Sequence, residues 1–307
     1  MRLIVHIGYN KTGTSSIQSY CLRNAEALRR DGLCYPKIGT HGNGGHHAVS
    51  KLLTGMPSNK VVNTPIDLLN RIREEFEESA CETLLLSSEH LVLANSQNIK
   101  AVRDAFRKEF GMDECKIVVY LRRHDLWFES LFNQAVKNID SPPWSLDIKD
   151  YIIQLLGSKG NMPQYHMVLE RWAKEFGLES IIVRPFEFSQ FKNGNLLNDF
   201  FESAFPQHEV KEDAVSMRAN LSVPPENLYM IGLLRRWPKS PERDAAIGRI
   251  LLAPSATGTA SSENFCTLTA NQRKSIVEFF TPEYTNIARR FMNRTDGRLF
   301  LEEVKKT

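Results

Sequence analysis

The chain has 307 residues, and its 39 Lys and Arg against 36 Asp and Glu leave a net charge of +3. With 42% hydrophobic and 24% charged residues it reads as a folded globular protein with a sizeable core, and so slight a positive excess offers no basic stripe for nucleic acid. Five scattered cysteines with no CxxC pair argue against a disulfide framework and against a structural zinc site.

The N-terminal apolar run is too short for a signal h-region or an anchor. No later run approaches the length needed to span a bilayer, so the expectation is a soluble, cytoplasmic protein with no transmembrane segment. Residues 3–7 are predicted as a buried strand, 8–13 as a loop and 14–30 as a helix ended by Asp31-Gly32. A second short extended segment is predicted at 33–36. Residues 39–65, rich in Gly, His, Asn, Ser and Pro, read as a mobile loop carrying a short helix at 48–53. A helix at 66–79, a strand at 83–87, a helix at 98–110 and a strand at 116–121 follow. Helices at 125–136 and 165–176 then lead to a fourth core strand at 180–183. The C-terminal third reads as helical at 194–205, 226–236, 269–281 and 285–291, with a flexible loop at 253–264. Apolar strands alternating with helices predict an α/β fold with a central parallel sheet covered on both faces. The expectation is one domain over 1–307, with a core over about 1–205 and a helical cap over about 206–307.

The first motif is Gly8-Tyr9-Asn10-Lys11-Thr12-Gly13-Thr14-Ser15-Ser16, between the first strand and the first helix. The amides of a first helical turn have no partner within the helix, and the helix dipole favours an anion there. Gly13 lets backbone approach such an anion, and Thr12, Thr14, Ser15 and Ser16 add hydroxyls. Gly8 and Gly13 have the spacing of a nucleotide-triphosphate loop, but Thr14 stands where its lysine belongs and the cation is displaced to Lys11. The string KTGTSS after a strand resembles the 5′-phosphosulfate loop of sulfotransferases that use 3′-phosphoadenosine 5′-phosphosulfate (PAPS). The longer HIGYNKTGTSSIQ resembles a bacterial, carbohydrate-sulfotransferase-like branch of that family. The resemblance implies a P-loop-type three-layer fold. It implies that Lys11 contacts the sulfuryl group and the bridging oxygen, while Thr12, Gly13, Thr14, Ser15 and Ser16 hold the 5′-phosphosulfate.

The second motif runs from Val118 to Ser130. Arg122 ends a buried strand, at the sheet edge where open α/β folds bind ligands, and Ser130 follows eight residues later. A forked guanidinium and a short hydroxyl suit a lone phosphate. The spacing resembles the 3′-phosphate motif of sulfotransferases, although Arg123-His124-Asp125 replaces the usual Asn-Pro or Asp-Pro, so Arg122 and Arg123 are both candidates. Asn133 and Gln134 are candidates for the acceptor side.

Sulfuryl transfer needs a base to take the acceptor proton. Glu89, after the 83–87 strand, is the leading candidate, and SSEHL resembles a segment found in the same bacterial family. His47 and His46 follow, in a glycine-rich loop able to close over the site. No metal is expected: His46-His47 lacks the spacing of a helical zinc pair, and PAPS chemistry requires no Mg²⁺. The expected acceptor is a hydroxyl of a small molecule, saccharide or glycolipid, and the expected product is adenosine 3′,5′-bisphosphate. The alternative is a P-loop small-molecule kinase using ATP and Mg²⁺. The sequence carries no signal for oligomeric state.

Overall fold

In a computed structural model of the chain, five strands form one sheet: β1 (Arg2–Gly8), β2 (Leu33–Cys34), β3 (Thr83–Ser87), β4 (Glu114–Leu121) and β5 (Ile181–Pro185). Their order is β2-β3-β1-β4-β5, and every pairing is parallel. The structure describes residues 1–54, 65–157, 164–211, 223–252 and 266–304. The expected loop at 253–264 lies outside the described residues. The helices described are α1 (Thr14–Arg23), α2 (Ala25–Arg30), α3 (His47–Thr54), α4 (Pro65–Ser79), α5 (Ser96–Phe110) and α6 (His124–Asn138). They continue with α7 (Ile148–Gly157), α8 (Tyr165–Phe176), α9 (Leu196–Ala204), α10 (Pro225–Leu234), α11 (Pro241–Leu252) and α12 (Ala270–Met292).

The chain divides into two compact units. The first comprises Met1–Arg122, Gln164–Ala219 and Glu283–Glu302; the second comprises Arg123–Pro163, Asn220–Pro282 and Glu303–Thr307. The first unit holds the sheet. Alternation along each strand sends successive side chains to opposite faces. Ile4 and Leu85 pack with Ile17 and Tyr20 of α1 and Phe200 and Phe201 of α9, whereas Val5 and Leu86 pack with Val49 of α3 and Val102 and Phe106 of α5. Both faces are therefore covered, which is why these strands read as continuous apolar runs. The second unit has its own core, built on Phe132, Val136, Tyr151, Ile231 and Ile247.

After β1 the chain builds β2 and β3 on one side of it and later β4 and β5 on the other. The strand order reverses at β1, so the crevice beyond the carboxyl end of β1 is where such a sheet binds ligands. The β1–β4 register slips between His6 and Gly8, and the Tyr9 amide still donates to the Tyr120 carbonyl.

Three expectations require correction. The single helix at 14–30 is two, because Asn24 leaves helical geometry (φ −104°, ψ 19°) and its Nδ2 donates to the Tyr20 carbonyl. An Asn side chain competing for backbone partners ends a helix in this way. Conversely, the separate helices at 269–281 and 285–291 are one, α12, which runs through Pro282. Of the loop expected at 39–65, the expected short helix is present as α3, residues 39–46 are anchored (the Tyr35 hydroxyl donates to the Gly44 carbonyl and Ser19 to Asn43), and 55–64 lie outside the described residues. Sequence periodicity also passed over α7 and α11.

Candidate functional site

The carboxyl ends of β1, β3 and β4 bring three segments of the first unit together: the 8–16 loop, the turn at 87–90 and Arg122. Gly8 (φ +104°), Lys11 (φ 66°) and Gly13 (φ +76°) give the loop its left-handed turns. At Gly8 a Cβ would lie 2.9 Å from the Cα and Cβ of Glu89. Its absence lets the 87–90 turn sit directly against the loop. At Gly13 a Cβ would lie 2.2 Å from Leu196 and 3.1 Å from Phe186.

Gly13 is the N-cap of α1, and no side chain caps the helix. Its carbonyl accepts from the amides of Ser16 (2.9 Å) and Ile17 (3.2 Å), leaving Thr14 and Ser15 in the turn whose amides have no helical acceptor. Ser15 and Ser16 are half-buried. Thr12 is turned inward: its side chain is buried and donates to the Tyr9 carbonyl, so its hydroxyl braces the loop.

Arg122 Nη1 donates to the Lys11 carbonyl at 2.9 Å, and its guanidinium lies over the Phe186 ring, 5.4 Å from the centroid. The Arg122 carbonyl accepts from the Tyr165 hydroxyl at 2.7 Å. The end of β4 is thus fastened to the loop that ends β1. Arg123 is engaged otherwise: it is 6% exposed, and its Nε and Nη2 fork onto Asp125 at 2.7 and 3.1 Å. Of the two arginines, Arg122 is the one at the loop. Ser130 lies in the second turn of α6, in the second unit, and is half-buried. On the same helix Asn133 donates to the Val223 carbonyl, a packing contact, and Gln134 is exposed. Arg184 pairs with the buried Asp199, which also accepts from the Tyr120 hydroxyl, so it braces the sheet.

The two histidines after the glycine turn take opposite roles. His46 is 1% exposed; its Nδ1 accepts from the Ser87 amide at 3.1 Å and its Nε2 donates to the Pro36 carbonyl at 2.9 Å. Burial pushes its pKa down to about 4 against the pull of those bonds. It is a neutral brace, with both ring nitrogens engaged by backbone groups. His47 faces the site. Its Nδ1 is 2.9 Å from Ser88 Oγ, and its Nε2 is 4.0 Å from Glu89 Oε1. The His90 ring stacks on it at 4.6 Å.

Burial lowers the His47 pKa more than Glu89 raises it, so the imidazole is neutral near pH 7. Burial pushes the Glu89 carboxyl up, but its own backbone amide, the Gln18 amide and the neighbouring histidines outweigh this and hold it below its ordinary value. The carboxylate is therefore ionised. Gln18 Nε2 grips Glu89 Oε2 at 3.0 Å and also donates to Ser87 Oγ at 3.2 Å, while His6 Nδ1 shares that hydroxyl at 2.8 Å. Sequence reasoning left His90 open and gave no role to Gln18, Ser50 or Ser88. Only Gln18 carried a signal, since it lies four residues after Thr14, on the same face of α1.

Among the described residues, no helix is long and apolar enough to cross a membrane. No family model matches the chain, and no solved structure matches it. An uncharacterized protein of Archaeoglobus fulgidus is 31% identical over 140 residues, covering 45% of this chain. The match covers 35% of that protein's own length.

Proposed function

We propose that the chain is a PAPS-dependent sulfotransferase on a P-loop-type fold, acting on a hydroxyl of a saccharide or similar acceptor. The observation that carries this reading is the contact between the two motifs: Arg122 Nη1 lies 2.9 Å from the Lys11 carbonyl at the carboxyl edge of the sheet. A single nucleotide with phosphate at both its 5′ and 3′ positions accounts for an uncapped helix start and a strand-end guanidinium in one place. A forked guanidinium can brace a loop through one nitrogen and meet a phosphate through another.

In this reading the amides of the first turn of α1, with Ser15 and Ser16, hold the 5′-phosphosulfate. Arg122 holds the 3′-phosphate. The acceptor oxygen forms the new bond to sulfur while the bond from sulfur to the bridging phosphate oxygen breaks, and that electron pair leaves with adenosine 3′,5′-bisphosphate. Lys11 and the helix dipole offset the charge developing on the leaving oxygen. The acceptor proton passes to the neutral His47 Nε2 or to Glu89 Oε1, which face one another. The kinase alternative is less well supported, because Thr14 occupies the position of the β,γ-phosphate lysine.

The test is nucleotide binding by calorimetry without Mg²⁺. The protein should bind adenosine 3′,5′-bisphosphate, and Arg122→Ala should weaken it by about 10-fold or more, the worth of a charged hydrogen bond. Adenosine 5′-monophosphate, which lacks the 3′-phosphate, should weaken far less. Equal weakening of both would remove Arg122 from that role. Binding of ATP with Mg²⁺ in preference to the bisphosphate would replace this reading with the kinase.

A further inference from the structure

His47, Glu89 and His90 each offer a donor atom, and the three atoms lie within 4.8 Å of one another. We infer that this trio binds a divalent transition ion of the zinc class. The trio joins the first residue of α3 to the turn after β3, which is why no local spacing in the sequence reveals it. Zinc bound through nitrogen and oxygen at about 2.0–2.1 Å in a tetrahedral array needs its ligands roughly 3.4 Å apart. The 4.0 Å between His47 Nε2 and Glu89 Oε1 needs little closure to reach that.

The protonation states suit a cation. Ser50 Oγ donates to the His47 carbonyl at 3.0 Å, so its lone pair accepts the Ser88 proton at 3.0 Å. Ser88 Oγ in turn accepts from His47 Nδ1–H at 2.9 Å. His47 is therefore the Nδ1–H tautomer, with the Nε2 lone pair directed toward Glu89. A lone pair and a carboxylate oxygen facing each other across 4.0 Å favour a positive charge between them.

The surroundings also have the form of a metal site's supporting shell. Ser88 holds the far nitrogen of His47, and Gln18 holds the far oxygen of Glu89 at 3.0 Å. Nδ1 of His90 is buried and makes no hydrogen bond, so nothing competes for it. Two imidazoles and one carboxylate select Zn²⁺, Co²⁺ or Ni²⁺ over Mg²⁺ or Ca²⁺. Three protein ligands leave a fourth position for water or an acceptor oxygen. In the metal-bound form His47 Nε2 and Glu89 Oε1 are ligands and no longer bases, so the trio serves either as base or as metal site, and the readouts below, metal binding alone, distinguish the two.

The experiment titrates Zn²⁺ into the chelator-stripped full chain by calorimetry and records the visible spectrum of the Co²⁺ form. One equivalent should bind, Mg²⁺ should not compete, and Co²⁺ should give the intense visible bands of a tetrahedral nitrogen–oxygen site. Losing a side chain that holds a metal ligand in place costs about 10–100-fold in affinity, so Gln18→Ala should fall in that range and His90→Ala and Glu89→Gln should cost at least as much. The wild-type Co²⁺ spectrum needs no variant to fold. Absence of binding, a thiolate charge-transfer band placing the ion on cysteine, or folded His90→Ala and Glu89→Gln variants with unchanged affinity would each overturn the inference.

Discussion

Ser50 gives its proton to a carbonyl, which has none to return, and that fixes the order of donation through Ser88 to the imidazole of His47. A side chain two contacts away thus sets which nitrogen of His47 is basic. In Ser88→Ala the Nδ1 proton loses its acceptor, and the tautomer population should shift toward Nε2–H. Histidine ¹⁵N chemical shifts report this directly. The wild-type His47 should show a protonated Nδ1 and an unprotonated Nε2 at neutral pH. The reverse pattern in the wild type would invalidate both the proposed base and the lone pair proposed for a metal.

The strand–loop–helix element formed by β1, the 8–16 loop and α1 tolerates its two glycines being replaced to different degrees. Both have positive φ, so alanine is strained at either by about 1 kcal/mol or more. At Gly13 the new methyl would meet the tip of Leu196, a side chain that can turn away; at Gly8 it would meet the Glu89 backbone, which cannot. Gly8→Ala should therefore lower the melting temperature more than Gly13→Ala and should also displace Glu89. Thermal unfolding of the two variants side by side tests this, and the opposite ranking would show that the loop, not the 87–90 turn, yields.

At this scale the parallel strands were legible because β1, β3 and β4 are buried on both faces and carry unbroken apolar runs. The glycine loop between β1 and α1 was legible because its glycines and hydroxyls are contiguous. The break at Asn24 and the passage of α12 through Pro282 were not, since each depends on which backbone groups find partners in the folded chain. In the His47–Glu89–Gln18 cluster, His47 and Glu89 were legible only as separate candidates and Gln18 not at all. Its members come from three segments, and only the sheet order makes them neighbours. His46 and His47 are adjacent in sequence, yet one is a buried brace and the other faces Glu89.

For the molecule as a whole, stability should depend on two buried histidines. His6 and His46 are fully buried, and burial lowers each to about 4 from an ordinary 6.5. Their folded pKa is depressed, so the unfolded chain binds more protons between pH 6.5 and 4. Stability is then fully present above 6.5 and is lost as pH falls toward 4, by about 3 kcal/mol per histidine. Urea midpoints across that window should fall accordingly. His46→Gln, whatever its absolute stability, should show a distinctly shallower dependence. A slope equal to that of the wild type would mean that His46 is protonated in the native protein.

The first unit returns to the chain for its last piece. Glu187 accepts from the amides of Leu301 and Glu302, both at 2.8 Å, Gln190 donates to the Leu299 carbonyl, and Leu299 is 1% exposed. On the ribosome, then, the sheet can pair early but this unit stays unsealed until residues 283–302 have emerged, and the nascent chain must hold the apolar seat of Leu299 open to solvent through the intervening synthesis.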